Sequence, residues 1–356
     1  MTSKAIRDDA TVLVTGGCGF IGSNFVRFAL ENRPGWSLIN LDCLSYSGNL
    51  ENLTDIEDDP RYEFVKGDIR NMEDVEPLVK RCDAVIHFAA ESHVDRSILD
   101  AGPFITSNVQ GTQVMLDAVR RVKSDGGPNG KQSPVFFFVG TDEVYGSLPL
   151  DQPELMFTEE TPIQPRGVYS ASKAAADLLV QAYHETFGMD TRTTRCSNNF
   201  GPYQFPEKVI PLFVTNLIEG QQVPLYGDGL NVRDWLHVDD HCEAIIAVLE
   251  KGAAGSIYNV GGNNERTNLE LTHLIIELMG KGKDMIRHVE DRLGHDRRYA
   301  IDPTKLKGEV GWQPTRSAWP EALEETVKWY VDHPDWWKRV KSGAYREYYE
   351  KQYAGR

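Results

Sequence analysis

The chain is 356 residues long, more than a single hydrophobic core usually spans, and its composition, 40% hydrophobic and 26% charged, is that of an ordinary soluble globular protein. A formal net charge of −15 repels a phosphodiester backbone, which excludes general nucleic-acid binding and means that any anionic ligand needs a local cationic pocket. No apolar run approaches the roughly 18 residues of a membrane span, the opening MTSKAIRDDA lacks the apolar core of a signal peptide, and the five scattered cysteines (Cys18, Cys43, Cys82, Cys196, Cys242) form no CxxC pair, so the expectation is a cytoplasmic chain with reduced thiols.

The first apolar run, TVLVT from Thr11, reads as a strand. It leads into Gly16, Gly19 and Gly22 and then an apolar helix through Leu30, the strand, turn and helix of a dinucleotide site. The glycines permit a tight turn, close approach of backbone to a pyrophosphate and close packing of helix on strand, while the helix N-terminus supplies N–H donors and positive dipole. The next strand, LINLD, ends in Asp42, where a carboxylate accepts from an adenosine ribose and repels a 2′-phosphate, so NAD is favoured over NADP.

A third strand, YEFV at 62, precedes Asp68 in GDIR, which reads equally as an adenine contact or a turn cap. A fourth, AVIHFA at 84, carries His87 and leads to His93, and for both a role in packing, or in supporting residues that touch the ligand, is expected rather than catalysis. Residues 103 to 123 read as one long helix, and SDGGPNGKQSP from Ser124 to Pro134 as an exposed connection. The strand VFFFVG at 135 runs into Thr141-Asp142-Glu143. Adjacent acids at a strand end are usually solvated or capping groups, but at the carboxyl edge of a doubly wound sheet they offer one general acid and one general base. Tyr169 and Lys173, four apart in YSASK, share one face of a helix from Tyr169 to Phe187, and an ammonium beside a phenol favours the phenolate. TRTTRC at 191 completes the alternation expected of an α/β, Rossmann-type doubly wound parallel sheet.

After residue 200 the pattern loosens, with turn clusters at Gly227-Asp228-Gly229 and Gly261-Gly262-Asn263-Asn264. The expected organisation is an NAD-binding domain over 1–200 and a smaller, interwoven carboxy-terminal substrate domain over 201–356. Segments near 235–262 return to the first domain, because IYNV at 257 reads as another buried strand. His237 and His241 could share a helix face, but Asp239 and Asp240 more naturally cap the helix running to Lys251, and no metal is expected. The tail from Glu321, with Trp329, Tyr330, Trp336 and Trp337, reads as helix packed on the body.

Joined to the glycine turn, YxxxK resembles the short-chain dehydrogenase/reductase superfamily, and the chain length its extended, nucleotide-sugar-modifying branch. Longer motifs narrow the resemblance. TGGCGFIGS, HFAAESHVDRS, TDEVYG, YSASK, RCSNNFGPYQFPEKVIPL, YGDGLNVRDW, EDRLGHDRRYAID and VKSGAY, running from the first strand nearly to the last residue, resemble the dTDP-glucose 4,6-dehydratases. The resemblance implies that Tyr169 deprotonates the C4 hydroxyl as hydride passes to NAD, Glu143 removes the C5 hydrogen, Asp142 protonates the departing C6 hydroxyl, and the hydride returns to C6. Thr141 would bond the C4 oxygen, and Lys173 would tune the tyrosine and hold the nicotinamide ribose.

The same resemblance implies NAD contacts from Gly16, Gly19, Phe20, Ile21, Gly22, Asp42, Cys43, Leu44, Ser45, Asp68, Ile69, Phe88, Ala89, Ala90, Ser107, Tyr169, Lys173 and Asn199. It implies nucleotide-sugar contacts from Ser92, Thr141, Asn198, Lys208, Val209, Ile210, Pro211, Leu212, Phe213, Pro224, Leu225, Tyr226, Arg233, Asn268, Asp291, Arg292 and His295, with Arg233 and Arg292 aimed at the diphosphate. A homodimer through the helices at 103–123 and 170–187 also follows from it. Cys18, Cys43 and Gly140 stand where alanine, lysine and serine are usual. The competing readings are a 4,6-dehydratase of another nucleotide-sugar such as UDP-glucose, a nucleotide-sugar 4-epimerase, which has no use for Asp142-Glu143, and a catalytically silent NAD-binding module.

Overall fold

The computed structural model describes residues 6–124 and 133–342. Most of the connection expected between Ser124 and Pro134, and the end of the VKSGAY motif, lie outside the described residues. The strands are β1 (Thr11–Thr15), β2 (Ser37–Asp42), β3 (Tyr62–Lys66), β4 (Ala84–His87), β5 (Val135–Thr141), β6 (Thr191–Cys196), β7 (Asn198–Phe200), β8 (Val223–Tyr226), β9 (Val232–His237), β10 (Ile257–Val260), β11 (Glu265–Thr267) and β12 (Ile286–Val289). Seven of them form one parallel sheet in the order β3-β2-β1-β4-β5-β6-β10. The order reverses between β1 and β4, which opens a crevice at the carboxyl ends of those two strands.

Continuous apolar runs form these strands because both faces of the sheet are covered. Val12, Val14, Phe137 and Val139 pack on one face, under the helices Phe20–Asn32 and Val238–Lys251. Leu13, Phe136 and Phe138 pack on the other, with Met115, Val119, Ala176 and Val180 from the helices Thr112–Ser124 and Val168–Phe187. Period-two alternation therefore feeds two cores from one run, and each buried Val, Leu or Phe contributes about 1.5–3 kcal/mol. IYNV is β10, an edge strand of the same sheet, parallel to β6.

A third core gathers Phe200, Phe213, Trp235, Leu271, Leu323, Tyr330, Trp336 and Trp337 around the small sheet β11-β9-β7, with β8 and β12 paired nearby. The aromatic tail forms the helices Glu321–Asp332 and Pro334–Val340, and Trp336 Nε1 donates to Asn52 Oδ1 (2.9 Å), tying it back to the first half. Among the described residues no helix is long and apolar enough to cross a membrane.

Two elements differ from the sequence reading. The helix expected over 103–123 contains a π-helical stretch, Ile105–Gly111, between Gly102–Phe104 and Thr112–Ser124. In that wide turn Asn108 exchanges hydrogen bonds with the backbone of Glu91 (2.8 and 3.0 Å) and donates to Ser172 Oγ (2.8 Å), joining the loop after β4 to the helix Val168–Phe187. At the start of Val238–Lys251 the cap is His237, whose Nδ1 accepts from Asp239 N, and not an aspartate. Asp240 turns inward and accepts from the Arg316 backbone N–H and the Ser317 hydroxyl.

Candidate active site

A cleft runs over the β1/β4 crevice. Gly16, at φ +73°, turns the chain where a Cβ would lie 2.8 Å from the Ala89 backbone, and a Cβ on Gly22 would collide with the Gly16 carbonyl. The helix Phe20–Asn32 therefore starts in direct contact with β1, and Gly19, its N-cap, offers no side chain to the first-turn N–H groups. At Gly19 a side chain would meet only the Gly16 carbonyl, at 3.3 Å, and would otherwise stand in the cleft. Asp42, nearly buried at the end of β2, accepts from Cys18 N (2.9 Å) and Leu44 N (2.8 Å). Burial raises its pKa, and these two bonds oppose the rise.

Every residue assigned to NAD by resemblance lines this cleft except Leu44. Leu44 sits in the left-handed region at φ 56° and packs against the core, and its contribution is the N–H on Asp42. Asp68 faces the cleft and also caps its own turn, bonding the backbone N–H (2.9 Å) and guanidinium of Arg70.

Thr141, Glu143, Tyr169 and Lys173 line the inner end of the cleft, where β5, its following turn and the helix Val168–Phe187 converge. Lys173 is buried and donates to the Val139 carbonyl (2.8 Å), above the Phe138 ring. Burial pushes its ammonium down to about 8, against the pull of Cys196 and Asp177. The Tyr169 phenol is held well above its ordinary value by burial and then by Glu143, with a hydrogen bond from Thr141 opposing. Here the Lys173 ammonium is engaged by a carbonyl, and the largest charge acting on the phenol is that of Glu143.

Asp142 is 1% exposed, and burial, then Glu143 and Asp234, raise its pKa well above the carboxylate range. It lines neither cavity; its Oδ1 lies 3.4 Å from Thr141 Oγ1, and its Oδ2 has no hydrogen-bond partner. Glu143 is also raised by burial, but Arg233, Lys208 and Arg292 pull it back. The adjacent acids therefore have opposite surroundings, one enclosed and one facing cations.

A second cavity adjoins the cleft, and Ser92, Glu143, Tyr169, Asn198, Asn199 and Lys208 line both. Val209, Leu212, Phe213, Pro224, Leu225, Tyr226, Arg233, Asn268, Arg292 and His295 complete the residues of the substrate set found here. Ile210 points instead into the third core, and Pro211, beside it on the helix Val209–Ile218, is also buried. Thr141 faces only the cofactor cleft, and Asp291 lines neither cavity, accepting from Arg292 N (2.8 Å) and His295 Nδ1 (2.7 Å). Arg233 bonds the carbonyls of Val232 (2.7 Å) and Asp296 (2.9 Å) over the Tyr299 ring. Arg292 forms a two-bond pair with Asp95 (2.9 and 3.0 Å). Burial, then Arg233 and Arg292, push His295 to about 4, so this corner is cationic in an acidic protein.

Sequence reasoning missed Glu207, and it named His241 and His87 without their partners. Buried Glu207 lines both cavities and bonds Tyr46 (3.1 Å) and Arg96 (3.3 Å). His241, buried and pushed to about 3, meets the Asn199 side chain at 2.9 Å. His87 bridges Thr15 (2.7 Å) and Thr112 (3.0 Å). These pairings join residues far apart in the chain, so motifs such as FPEK and HFAAESHVDRS marked residues but not their partners. Gly140 has a clear reason: a Cβ there would lie 2.6 Å from the Thr194 carbonyl. Cys18 is buried in the core beside Asn40, and Cys43 is exposed at the cleft.

A family model described as GDP-mannose 4,6 dehydratase matches residues 13–326. The dTDP-glucose 4,6-dehydratase of Streptomyces niveus is 51% identical over 335 residues, covering 93% of this chain and 96% of that one. A solved dTDP-glucose 4,6-dehydratase from Bacillus anthracis, in complex with NAD, is 50% identical with a TM-score of 0.84, covering 93% of this chain and 99% of that one. A second, from Streptomyces venezuelae with NAD bound, is 47% identical with a TM-score of 0.87 over the same shares.

Proposed function

The chain belongs to the nucleotide-sugar 4,6-dehydratases, and on that premise we propose that it is an NAD-dependent hydro-lyase converting dTDP-glucose to dTDP-4-keto-6-deoxyglucose and water. The family model is described by GDP-mannose, but the relative at half identity and both solved structures are named for dTDP-glucose. The observation that carries the reading is that Glu143 and Tyr169 line both the dinucleotide cleft and the adjoining cavity.

The residues of the cleft fit NAD: space at Gly19 that a Cβ would fill, an uncapped helix start beside it, and Asp42 at the end of β2 for the adenosine ribose. Bound NAD supplies an acceptor for hydride from C4 of the sugar and a donor of the same hydride to C6, so no net oxidation occurs. Tyr169 takes the C4 hydroxyl proton, with Thr141 on the same oxygen and Lys173 supplying positive charge on that helix face. The 4-ketone acidifies the C5 hydrogen, which Glu143 removes. Asp142, whose acid form is favoured by burial, protonates the leaving C6 hydroxyl, and to do so its side chain turns from Thr141 toward the cavity. Arg233, held by the carbonyls of Val232 and Asp296, is the cation for the diphosphate.

The enzyme acts where its nucleotide-sugar is made, in the cytoplasm, and as a homodimer through the helices 102–124 and 168–187, which carry exposed Ile105, Leu178 and Phe187. Sedimentation at micromolar concentration reads the dimer; a concentration-independent monomer refutes it. Separate incubation with dTDP-glucose, UDP-glucose and GDP-mannose, read by the alkaline absorbance of a 4-keto-6-deoxy sugar, tests the reaction. Product from dTDP-glucose is expected. Product from UDP-glucose alone would reassign the nucleotide, and a 4-epimer without that absorbance would reassign the chemistry.

A further inference from the structure

We propose that Arg195 is a positioning residue for the reaction assigned above: its guanidinium ties the turn carrying Asp142 and Glu143 to the helix carrying Tyr169 and Lys173. The two proton-transfer pairs then keep one relative position. Arg195, on β6, is 2% exposed and touches neither cavity. Its Nε and Nη2 grip both oxygens of Asp177 (2.8 and 3.1 Å), and its Nη1 donates to the Tyr145 hydroxyl (2.9 Å). Asp177 is fully buried on the helix Val168–Phe187, one turn past Lys173 and two past Tyr169. Tyr145 closes the turn Asp142–Tyr145, two residues past Glu143, and its own hydroxyl donates a hydrogen bond to Asn259 Oδ1 on β10 (2.8 Å). One planar fork thus fixes a helix and a catalytic turn against the sheet. Buried ion pairs are poor sources of stability, since packed apolar side chains serve as well, so geometry is the better account of this one. A lysine could reach one partner but lacks the fork for both.

Asp177 has a second consequence. The charged and titratable groups facing the Lys173 ammonium are Asp177 on its own helix, Cys196 on β6 and His87 on β4. Asp177 and Cys196 hold the proton on the lysine while burial pulls it off. The ammonium is the working form, so activity falls as pH rises through its pKa. Removing the Asp177 charge leaves the Arg195 cation uncompensated behind Lys173 and moves that fall to lower pH.

This inference rests on the dehydratase reading, and the full chain tests the two separately. Wild-type turnover of dTDP-glucose tests the reaction. For the clamp, Tyr145→Phe and Arg195→Lys are expected to lower kcat about 10- to 100-fold with KM within about threefold, and Asp177→Asn to shift the alkaline limb of kcat down by about one pH unit. Amide hydrogen exchange, read without substrate, is expected to quicken at 141–146 in Tyr145→Phe and Arg195→Lys. An unmoved alkaline limb in Asp177→Asn together with wild-type exchange at 141–146 in Tyr145→Phe, which deletes a single hydroxyl, would overturn the clamp even if the enzyme is fully active.

Discussion

The cofactor cleft and the sugar cavity meet at Glu143 and Tyr169 but are built in opposite ways. The cleft is made at the ends of neighbouring strands of one sheet, so Gly16, Asp42, Asp68 and Ala89 each follow a strand that fixes them. The cavity is assembled from pieces near 92–98, 208–213, 224–226 and 292–299, held against one another by contacts such as Asp95 with Arg292 and Glu207 with Arg96. The first is a product of local backbone rules; the second depends on long-range pairs. Variants on the two sides should therefore fail differently, and Glu143, shared by both, should fail most.

Glu143→Gln should retain NAD and bind dTDP with little change, yet lower kcat by about 10²–10⁴-fold, the usual loss when a general base is removed. Nucleotide content of the denatured protein and steady-state kinetics read both halves of that statement. Near-normal product formation would remove Glu143 as the C5 base and, with it, the reason for reading the junction as catalytic.

Gly16→Ala should break the cleft alone. The new Cβ lies 2.8 Å from the Ala89 backbone in a left-handed conformation, a strain of about 1–3 kcal/mol that the folded turn must shift to relieve, and the displaced turn should cost about tenfold or more in NAD retention. Calorimetric affinity for dTDP should stay within about twofold. A parallel loss of dTDP binding would show that the two cavities are coupled more tightly than their separate construction implies.

The difference in construction also explains what the amino-acid sequence could reveal. Fold class was legible because strand, glycine turn and helix follow one another within a few residues, and because runs such as VFFFVG feed both cores. The YSASK pair and the TDE acids were legible as spacing, and their meeting at one site follows from β5 lying beside β6, which places the helix Val168–Phe187 over the TDE turn. Leu44, Ile210 and Pro211 sit in motifs whose neighbours line the cavities, and only the actual turn of backbone or helix separates a lining residue from a core one. The depressed Lys173 depends on burial, and the raised Tyr169 on burial and then on Glu143, neither of which spacing encodes.

Arg233→Met tests the cavity from the other side. Loss of a charged partner for the diphosphate is worth about 1.5–3 kcal/mol, so KM for dTDP-glucose should rise about 10- to 100-fold while NAD content is unchanged. Should NAD be lost instead, Arg233 would belong to the cleft.

The smallest effect is expected where the chain departs from the usual pattern at the cleft mouth. Cys43 is exposed there, beside Asp42, at the position where the family resemblance leads to the expectation of a lysine. An exposed cation near a phosphate-bearing ligand is screened by water and contributes about 0–1 kcal/mol, so Cys43→Lys should slow NAD dissociation by less than about fivefold and leave dTDP affinity and kcat where they are. A much larger gain would mean that the exposed mouth of the cleft, and not the glycine turn at its base, sets how firmly the cofactor is held, and the contrast between a cleft fixed by backbone and a cavity fixed by side chains would have to be redrawn on the cofactor side.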